Sequence, residues 1–420
     1  MILNIKKIKN YSEEFLTYGV SQLFTILIPI ILIPILTRTI TPEDFANYSM
    51  YKSLLVITSP FIGMGFSTYL IKYYYIDLKK NYYTFFYSVF IFSLITSFVL
   101  LIIVYLLKNF LLTFLKFDDF TIIIYVVLNT FLLSHVTLVL TLCRARRDKH
   151  SFLILNIIIF IFTIIPVLIL FYQNSLTLTK ILLINSFSFS SALIYSFFKI
   201  LVFKNFSINS NLLFKSIKFS LPLILYQIFA QIYIQGDKFI INAYLSKEEL
   251  AYYYAIFQVC FGISAFGNIL QLTWSPHVFK IMAYTKKIPH ELFRSIILVI
   301  SIAFIFSFIY FLFMPFFQHL LLPLDYHQDW SLYIWFVIGL FFQIIWWILN
   351  PFLNAFNKNN YFVYITCFAA IISISLNLLY IKNGIHYAAI IFCVSWIIQV
   401  TLLVLSILYI QKDFICQKNI

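Results

Sequence analysis

Twelve stretches of mostly apolar residues follow one another along this chain, and they constrain its fold more than any motif does. A helix that crosses a bilayer needs about 20 such residues. The stretches run over 15–37, 45–69, 82–107, 120–142, 151–172, 180–203, 219–244, 250–273, 293–316, 331–353, 361–381 and 386–410. The breaks between them are short, so no extramembrane domain has room to form. Composition agrees: 62% of residues are hydrophobic and 10% charged, with a mean hydropathy of +0.95, whereas a soluble domain carries roughly a quarter charged residues. The expected fold class is an all-α integral membrane protein with about twelve spanning helices.

The N-terminal Lys6, Lys7 and Lys9 precede an apolar run from Phe15 to Leu36. That run is too long for a signal-peptide core and no small-residue cleavage site follows, so it reads as a retained first helix. The 50 Phe and 30 Tyr fit AT-rich coding and the enrichment of aromatic rings at membrane interfaces. Five cysteines stand singly, without metal or redox spacing, so neither a disulfide framework nor a metal or cofactor site is expected.

Orientation follows from Lys and Arg, which accumulate in cytoplasmic loops. With the N-terminus inside, 21 of the 29 basic residues fall on inner segments, Lys72, Lys79, Lys80, Lys204, Lys286, Lys287, Lys358 and Lys418 among them. Only Arg38, Lys108, Lys116, Lys180, Lys247 and Lys382 fall outside, and Lys52 and Lys238 lie within spans. Both termini are then cytoplasmic. The net charge of +14 is accounted for by topology, and nucleic acid is not an expected partner.

Two segment pairs suggest a duplication. Thr41-Pro-Glu-Asp-Phe-Ala-Asn-Tyr48 matches Ser246-Lys-Glu-Glu-Leu-Ala-Tyr-Tyr253 without gaps, each a hydroxyl residue followed three positions later by an acid, the pattern of a capping box. Leu142–Phe152 pairs with Phe352–Phe362 in the same way. Both offsets link spans six apart, which preserves direction and predicts parallel repeats. The expected lobes are residues 1–210 and 211–420, six helices each around a central cavity.

These segments resemble the polysaccharide transporter (Wzx-type) family of lipid-linked oligosaccharide flippases, within the superfamily that holds multidrug exporters and the lipid II flippase. The resemblance is carried by Pro34-Ile-Leu-Thr-Arg38 with Thr41-Pro-Glu-Asp-Phe45 and Tyr48, by Gly63-Met-Gly-Phe66 and Lys72, by Leu221-Pro222 with Gly236-Asp-Lys-Phe-Ile-Ile241 and Tyr253, and by Arg144-Ala145. Ala46 departs from the glycine usual in the family. The resemblance implies that an undecaprenyl-pyrophosphate-linked sugar repeat unit is turned from the inner to the outer leaflet of the bacterial inner membrane, for O-antigen or capsule synthesis. It also implies a polymerase and a chain-length regulator of the same pathway as partners, beside membrane lipid.

Ionisable groups inside a membrane are costly and mark function by default. Lys52, Asp237 and Lys238 qualify, with Arg38 near a span edge. At about 100° per residue, Gln227, Gln231, Gln235 and Lys238 share one face of the seventh span and Tyr226, Tyr233 and Asp237 another. The glutamine face with Lys238, together with Lys52 and Arg38, supplies the cavity and substrate candidates; a polar seam between helices is the plainer reading of that face. Asp237 is the candidate for gating or coupling, by pairing with Lys52 at similar depth or with a residue nearer by. Arg38 suits a pyrophosphate, and equally the dipole at a helix C-terminus. Arg144, Arg146, Arg147 and Lys149 form the densest basic cluster, which topology and anionic headgroups already explain.

Two rivals stay open. An O-antigen polymerase or membrane glycosyltransferase needs a folded outer loop carrying catalytic groups, and only Asp325 and Asp329 near His319 and His327 gather there. A multidrug exporter of the same superfamily wants deep acidic residues in its first half, and spans one to six have none away from their ends. No Walker A sequence is present to drive transport by ATP.

Overall fold

In the computed structural model, residues 5–74, 78, 82–201, 207–282, 288–356, 358 and 360–416 are described. Among them there is no strand. Lys79, Lys80, Lys204, Lys286, Lys287 and Lys418 of the orientation argument lie outside the described residues. Sixteen α-helices follow in order. They are α1 (Ile5–Thr39), α2 (Pro42–Gly63), α3 (Phe66–Tyr73), α4 (Tyr82–Leu106), α5 (Lys108–Leu115), α6 (Thr121–Arg146), α7 (Lys149–Tyr172), α8 (Leu178–Ser196), α9 (Ser210–Tyr244), α10 (Lys247–Cys260), α11 (Gly262–Met282), α12 (His290–Leu312), α13 (Met314–Leu321), α14 (Trp330–Ala355), α15 (Asn360–Tyr380) and α16 (Ile385–Cys416).

Local chemistry sets several of these ends. Thr41 caps α2 by accepting from the Asp44 amide at 3.2 Å, with Pro42 at the first helical position, where its missing N–H costs nothing. Ser246 opens α10 with a complete capping box: its hydroxyl accepts from the Glu249 amide, and the Glu249 carboxylate accepts from the Ser246 amide. Asp148 caps α7 through the Ser151 amide at 3.1 Å, directly after Arg147 closes α6 in the left-handed region at φ 58°.

Eight single helices are long and apolar enough to cross a membrane, three bent pairs qualify when each counts as one span, and Leu23–Thr39 is a shorter apolar helix. Among the described residues these make up to eleven crossings at eleven of the expected segments, with Leu23–Thr39 in the expected first one, and the chain is a multi-pass membrane protein. Three spans are bent, one of them within α9, whose Ser210–Leu221 and Ile224–Tyr244 stretches meet at 48°. α2 and α3 meet at 52° and α10 and α11 at 42°. At the first break Met64 and Gly65 are both left-handed, at φ 41° and 63°, which ends one helix and starts another. At the second, the Tyr310 hydroxyl donates to the Val259 carbonyl at 2.7 Å, and Gly262 makes room for that ring because a Cβ there would collide with it. The short α5 and α13 occupy stretches expected to be loop or span end.

The two halves repeat their packing. In the first, α2 and α3 lie on α6, α4 on α6, α6 on α8 and α7 on α8. In the second, α10 and α11 lie on α14, α12 on α14, α14 on α16 and α15 on α16. Each pair recurs six spans later, as the parallel-repeat reading requires, and α5 after α4 is matched by α13 after α12. The compact units are Met1–Ile228 and Phe229–Ile420, so the division falls inside α9 and not at 210/211. The start of α9 explains the shift: Leu212, Leu213, Ile217 and Phe219 pack on the aromatic core of the first unit, where Phe219 meets Tyr69 edge-on at 5.6 Å.

Candidate functional site

The second half of α9 carries two consecutive ionisable residues into the interior of the second unit. Asp237 and Lys238 are 6% and 1% exposed. Burial without partners would cost each charge several kcal/mol, and every polar atom here is answered. Lys238 Nζ donates to Asp237 Oδ1 at 3.2 Å and to the Ile234 carbonyl at 3.3 Å, and it lies 4.7 Å from the centre of the Phe257 ring. The same Oδ1 accepts from the Lys238 amide at 2.8 Å. The other carboxylate oxygen, Oδ2, accepts from the Tyr253 hydroxyl on α10. Tyr253 is itself fully buried. The pair is therefore neutral, fixed to two helices, and enclosed by aromatic side chains.

Behind Asp237 lies a polar pocket lined by Tyr233 from α9, Ser373 and Asn377 from α15, and Ser395 from α16. The Tyr233 hydroxyl, Asn377 Oδ1 and Ser395 Oγ are buried there without a hydrogen-bond partner among the described residues. The space between them leaves no room for a water molecule or an ion, so these side chains form a polar seam between α9, α15 and α16. Among the described residues no three His, Cys, Asp or Glu side chains gather as a metal site.

The first unit has a buried neutral cluster of its own, on α2, α6 and α8. The Tyr51 hydroxyl lies beside Asn129 and Asn185, and all three side chains are buried. Asn129 Nδ2 donates to the Leu182 carbonyl at 3.2 Å, holding α6 to α8. In the ungapped 205-residue register, Asp237 and Lys238 correspond to Leu32 and Ile33, which are 3% and 5% exposed. The charged pair belongs to one half only.

The remaining sequence candidates are placed as follows. Gln227, Gln231 and Gln235 are half-buried along α9. Lys238 does not share their environment, because its long stem bends back to Asp237 and into the packed interior. Tyr233 and Asp237 do share one face and one pocket. Lys52, in α2, is half-buried, with its ammonium 5.4 Å and 5.9 Å from the rings of Tyr48 and Tyr51, while Asp237 is engaged by Lys238 and Tyr253. Arg38 is exposed at the end of α1 and donates to the Pro34 carbonyl at 2.9 Å, the cation-at-C-terminus arrangement. At the α6–α7 turn Arg144 donates to the Thr141 hydroxyl at 3.2 Å and Arg146 lies over the Tyr82 ring at 5.3 Å, with Arg147 and Lys149 alongside. The pocket residues Ser373, Asn377 and Ser395 were missed. Their signal was available, since Ser373 and Asn377 are polar residues one helical turn apart within an otherwise apolar run.

Residues 13–282 match the profile of a family described as polysaccharide biosynthesis protein. The chain belongs to this family. Among solved structures, the lipid II flippase MurJ in an inward closed conformation is similar at a TM-score of 0.69 and 14% identity, covering 95% of this chain and 89% of that one. An inward-facing multidrug resistance MATE transporter of the MOP superfamily is similar at 0.67 and 12%, covering 94% and 99%. An outward-facing MATE transporter gives 0.63 and 14%, covering 97% and 96%. At such identities the likeness is one of fold alone. No curated protein sequence matches the chain.

Proposed function

We propose that this protein is a flippase that carries undecaprenyl-pyrophosphate-linked oligosaccharide repeat units from the inner to the outer leaflet of a bacterial inner membrane. The product feeds O-antigen or capsule synthesis, and the two halves work by alternating access. Membership of the polysaccharide biosynthesis family on a transporter fold carries this reading. A membrane carrier in such a pathway has lipid-linked saccharide as its natural cargo. The distribution of Lys and Arg puts both termini in the cytoplasm. In this reading Arg38, Lys52 and the glutamines of α9 meet the polar headgroup, and a polymerase and chain-length regulator take over the delivered units.

A multidrug exporter is the second reading, supported by the MATE-like fold. Against it stands the first unit, whose buried polar cluster is neutral and holds Leu32 where the second half has Asp237. An enzyme is disfavoured by the transporter neighbours and by the short outer loops. There His319 and His327 meet edge-on at 4.7 Å between ring centres without a third ligand among the described residues. Gene deletion in the native bacterium separates the three. Loss of surface polysaccharide with complete repeat units accumulating on lipid at the inner face is the flippase result. Unpolymerised units at the outer surface would indicate a polymerase. An intact surface with new drug sensitivity would indicate an exporter and overturn the proposal.

A further inference from the structure

We infer that the turn between α6 and α7 binds the headgroup of a dianionic phospholipid, one whose two phosphates are joined through a glycerol. Both helices are long and apolar enough to cross the membrane, and they end and begin at Arg146 and Lys149. The turn therefore sits at headgroup depth, whichever face of the membrane it is on. Arg144, Arg146, Arg147 and Lys149 stand there against one acid, Asp148. Both oxygens of that acid are engaged locally, Oδ1 accepting from the Ser151 amide at 3.1 Å and Oδ2 from the Ser151 hydroxyl at 2.7 Å. All three arginines are exposed, and the turn carries a surplus of positive charge to the membrane surface.

The matching turn of the second half separates this surplus from the needs of the fold. In the 210-residue register Arg144, Arg146, Arg147 and Lys149 correspond to Asn354, Phe356, Asn357 and Asn359, and Lys358 is the only charge in Phe352–Phe362. The backbone closes alike in both turns. The Asp148 amide donates to the Cys143 carbonyl at 2.8 Å, and the Lys358 amide to the Leu353 carbonyl at 3.0 Å. The helix thus ends without arginine in the second half, so capping by cations does not account for the cluster. Topology does not account for it either. Turns joining the fourth and fifth spans of parallel repeats lie on one side of the membrane, and a single lysine serves the second.

The placement of the arginines selects two separated phosphates. At about 100° per residue, Arg144 and Arg146 leave α6 about 200° apart. Arg144 is steadied by the Thr141 hydroxyl at 3.2 Å, one turn back, and Arg146 by the Tyr82 ring of α4, at 5.3 Å from its centre. These partners hold the two forks without neutralising them, and a guanidinium fork matches a phosphate. With the forks on opposite sides of the helix end, a pyrophosphate, whose phosphates share one oxygen, meets only one of them. Two phosphates spaced by a glycerol meet both. Basic residues beside a membrane attract anionic headgroups in general, and the dianion gains from each fork. Such a site is independent of what the protein transports.

Native mass spectrometry of the full-length protein in detergent tests the site, with cardiolipin, a phospholipid of this kind, and phosphatidylglycerol added in steps. The first cardiolipin should bind about tenfold tighter than the first phosphatidylglycerol. Replacing the arginines by their repeat mates, Arg144→Asn, Arg146→Phe and Arg147→Asn together, should remove that preference and leave the melting temperature unchanged. Arg146→Gln alone should reduce the preference severalfold, and it serves if the triple variant does not fold. Equal affinity for the two lipids, or the full preference in a folded variant, would overturn the inference. So would displacement of bound cardiolipin by an equimolar amount of undecaprenyl pyrophosphate, which would make the turn a seat for the pyrophosphate of a carrier lipid.

Discussion

At the residue scale, Asp237 and Lys238 make a pair that neighbouring positions on a helix do not make by default. Their Cβ atoms diverge by about 100°, and only the length of the lysine stem brings the charges to 3.2 Å. Removing one member of a buried pair costs about 3–5 kcal/mol, because an uncompensated charge stays behind, whereas replacing both by neutral groups of similar size is often nearly free. Asp237→Asn should therefore lower the melting temperature in detergent markedly, and adding Lys238→Met should restore most of the loss. Additive losses in the double variant would show that the two charges are not compensating one another. Tyr253→Phe leaves Asp237 Oδ2 short of its donor and should cost about 1.5–3 kcal/mol, the range for a hydrogen bond to a charged group. Sequence reasoning found both ionisable residues because charge inside an apolar run is conspicuous. It misdirected Lys238 because a helical wheel gives the direction of Cβ and says nothing of where a four-carbon stem ends. Tyr253 was visible as the repeat mate of Tyr48 and within the family resemblance, but not as the donor to Asp237, since a tyrosine's hydrogen bond across helices leaves no periodic trace.

At the scale of elements, hydropathy made every span legible and left their interruptions hidden. A window average registers twenty apolar residues whether the helix is straight or broken, so the bends at Met64–Gly65 and at Phe261–Gly262 needed backbone geometry and the Tyr310 hydroxyl to explain them. The eight-residue α5 and α13 escaped because they are too short to cross a bilayer. Their exposed Phe110, Phe114 and Phe316 fit helices lying in the interface. Close helix approach depends on small residues, and Gly339 is the position where this bears most weight. A Cβ there would stand 2.7 Å from the Phe392 ring and 3.2 Å from the Cys393 backbone of α16. The ring can turn aside, but the backbone cannot without separating α14 from α16. Gly339→Val should destabilise by about 1–3 kcal/mol, the usual range for overpacking, and Phe392→Leu should recover only part of it. Fluorescence-detected gel filtration after a heating series measures both, and full recovery would mean that the ring alone was in the way.

At the scale of the whole molecule, the repeat was legible in two short loops and the charge asymmetry between the halves in a single pair of positions. The unit boundary was not legible, because α9 runs across it and sequence does not say which core its first turns join. Topology remains the claim on which orientation and the direction of transport both depend, and it makes a prediction at four exposed positions. If the N-terminus is inside, Lys116 and Lys382 fall on outer segments and Arg147 and Lys358 on inner ones, all four exposed. Cys143, Cys260 and Cys393 are buried and Cys367 half-buried, so a cysteine-free background built by serine or alanine replacement at these and at Cys416 should retain the fold. Single cysteines at 116 and 382 should then react in intact spheroplasts with a maleimide that cannot cross membranes, and those at 147 and 358 only after permeabilisation. The reverse pattern throughout would invert the protein while keeping twelve spans. A pattern that switches partway along the chain would place a miscounted span between the last consistent position and the first inconsistent one, and the broken pair α10–α11, between positions 147 and 358, is where such a switch has the most room to occur.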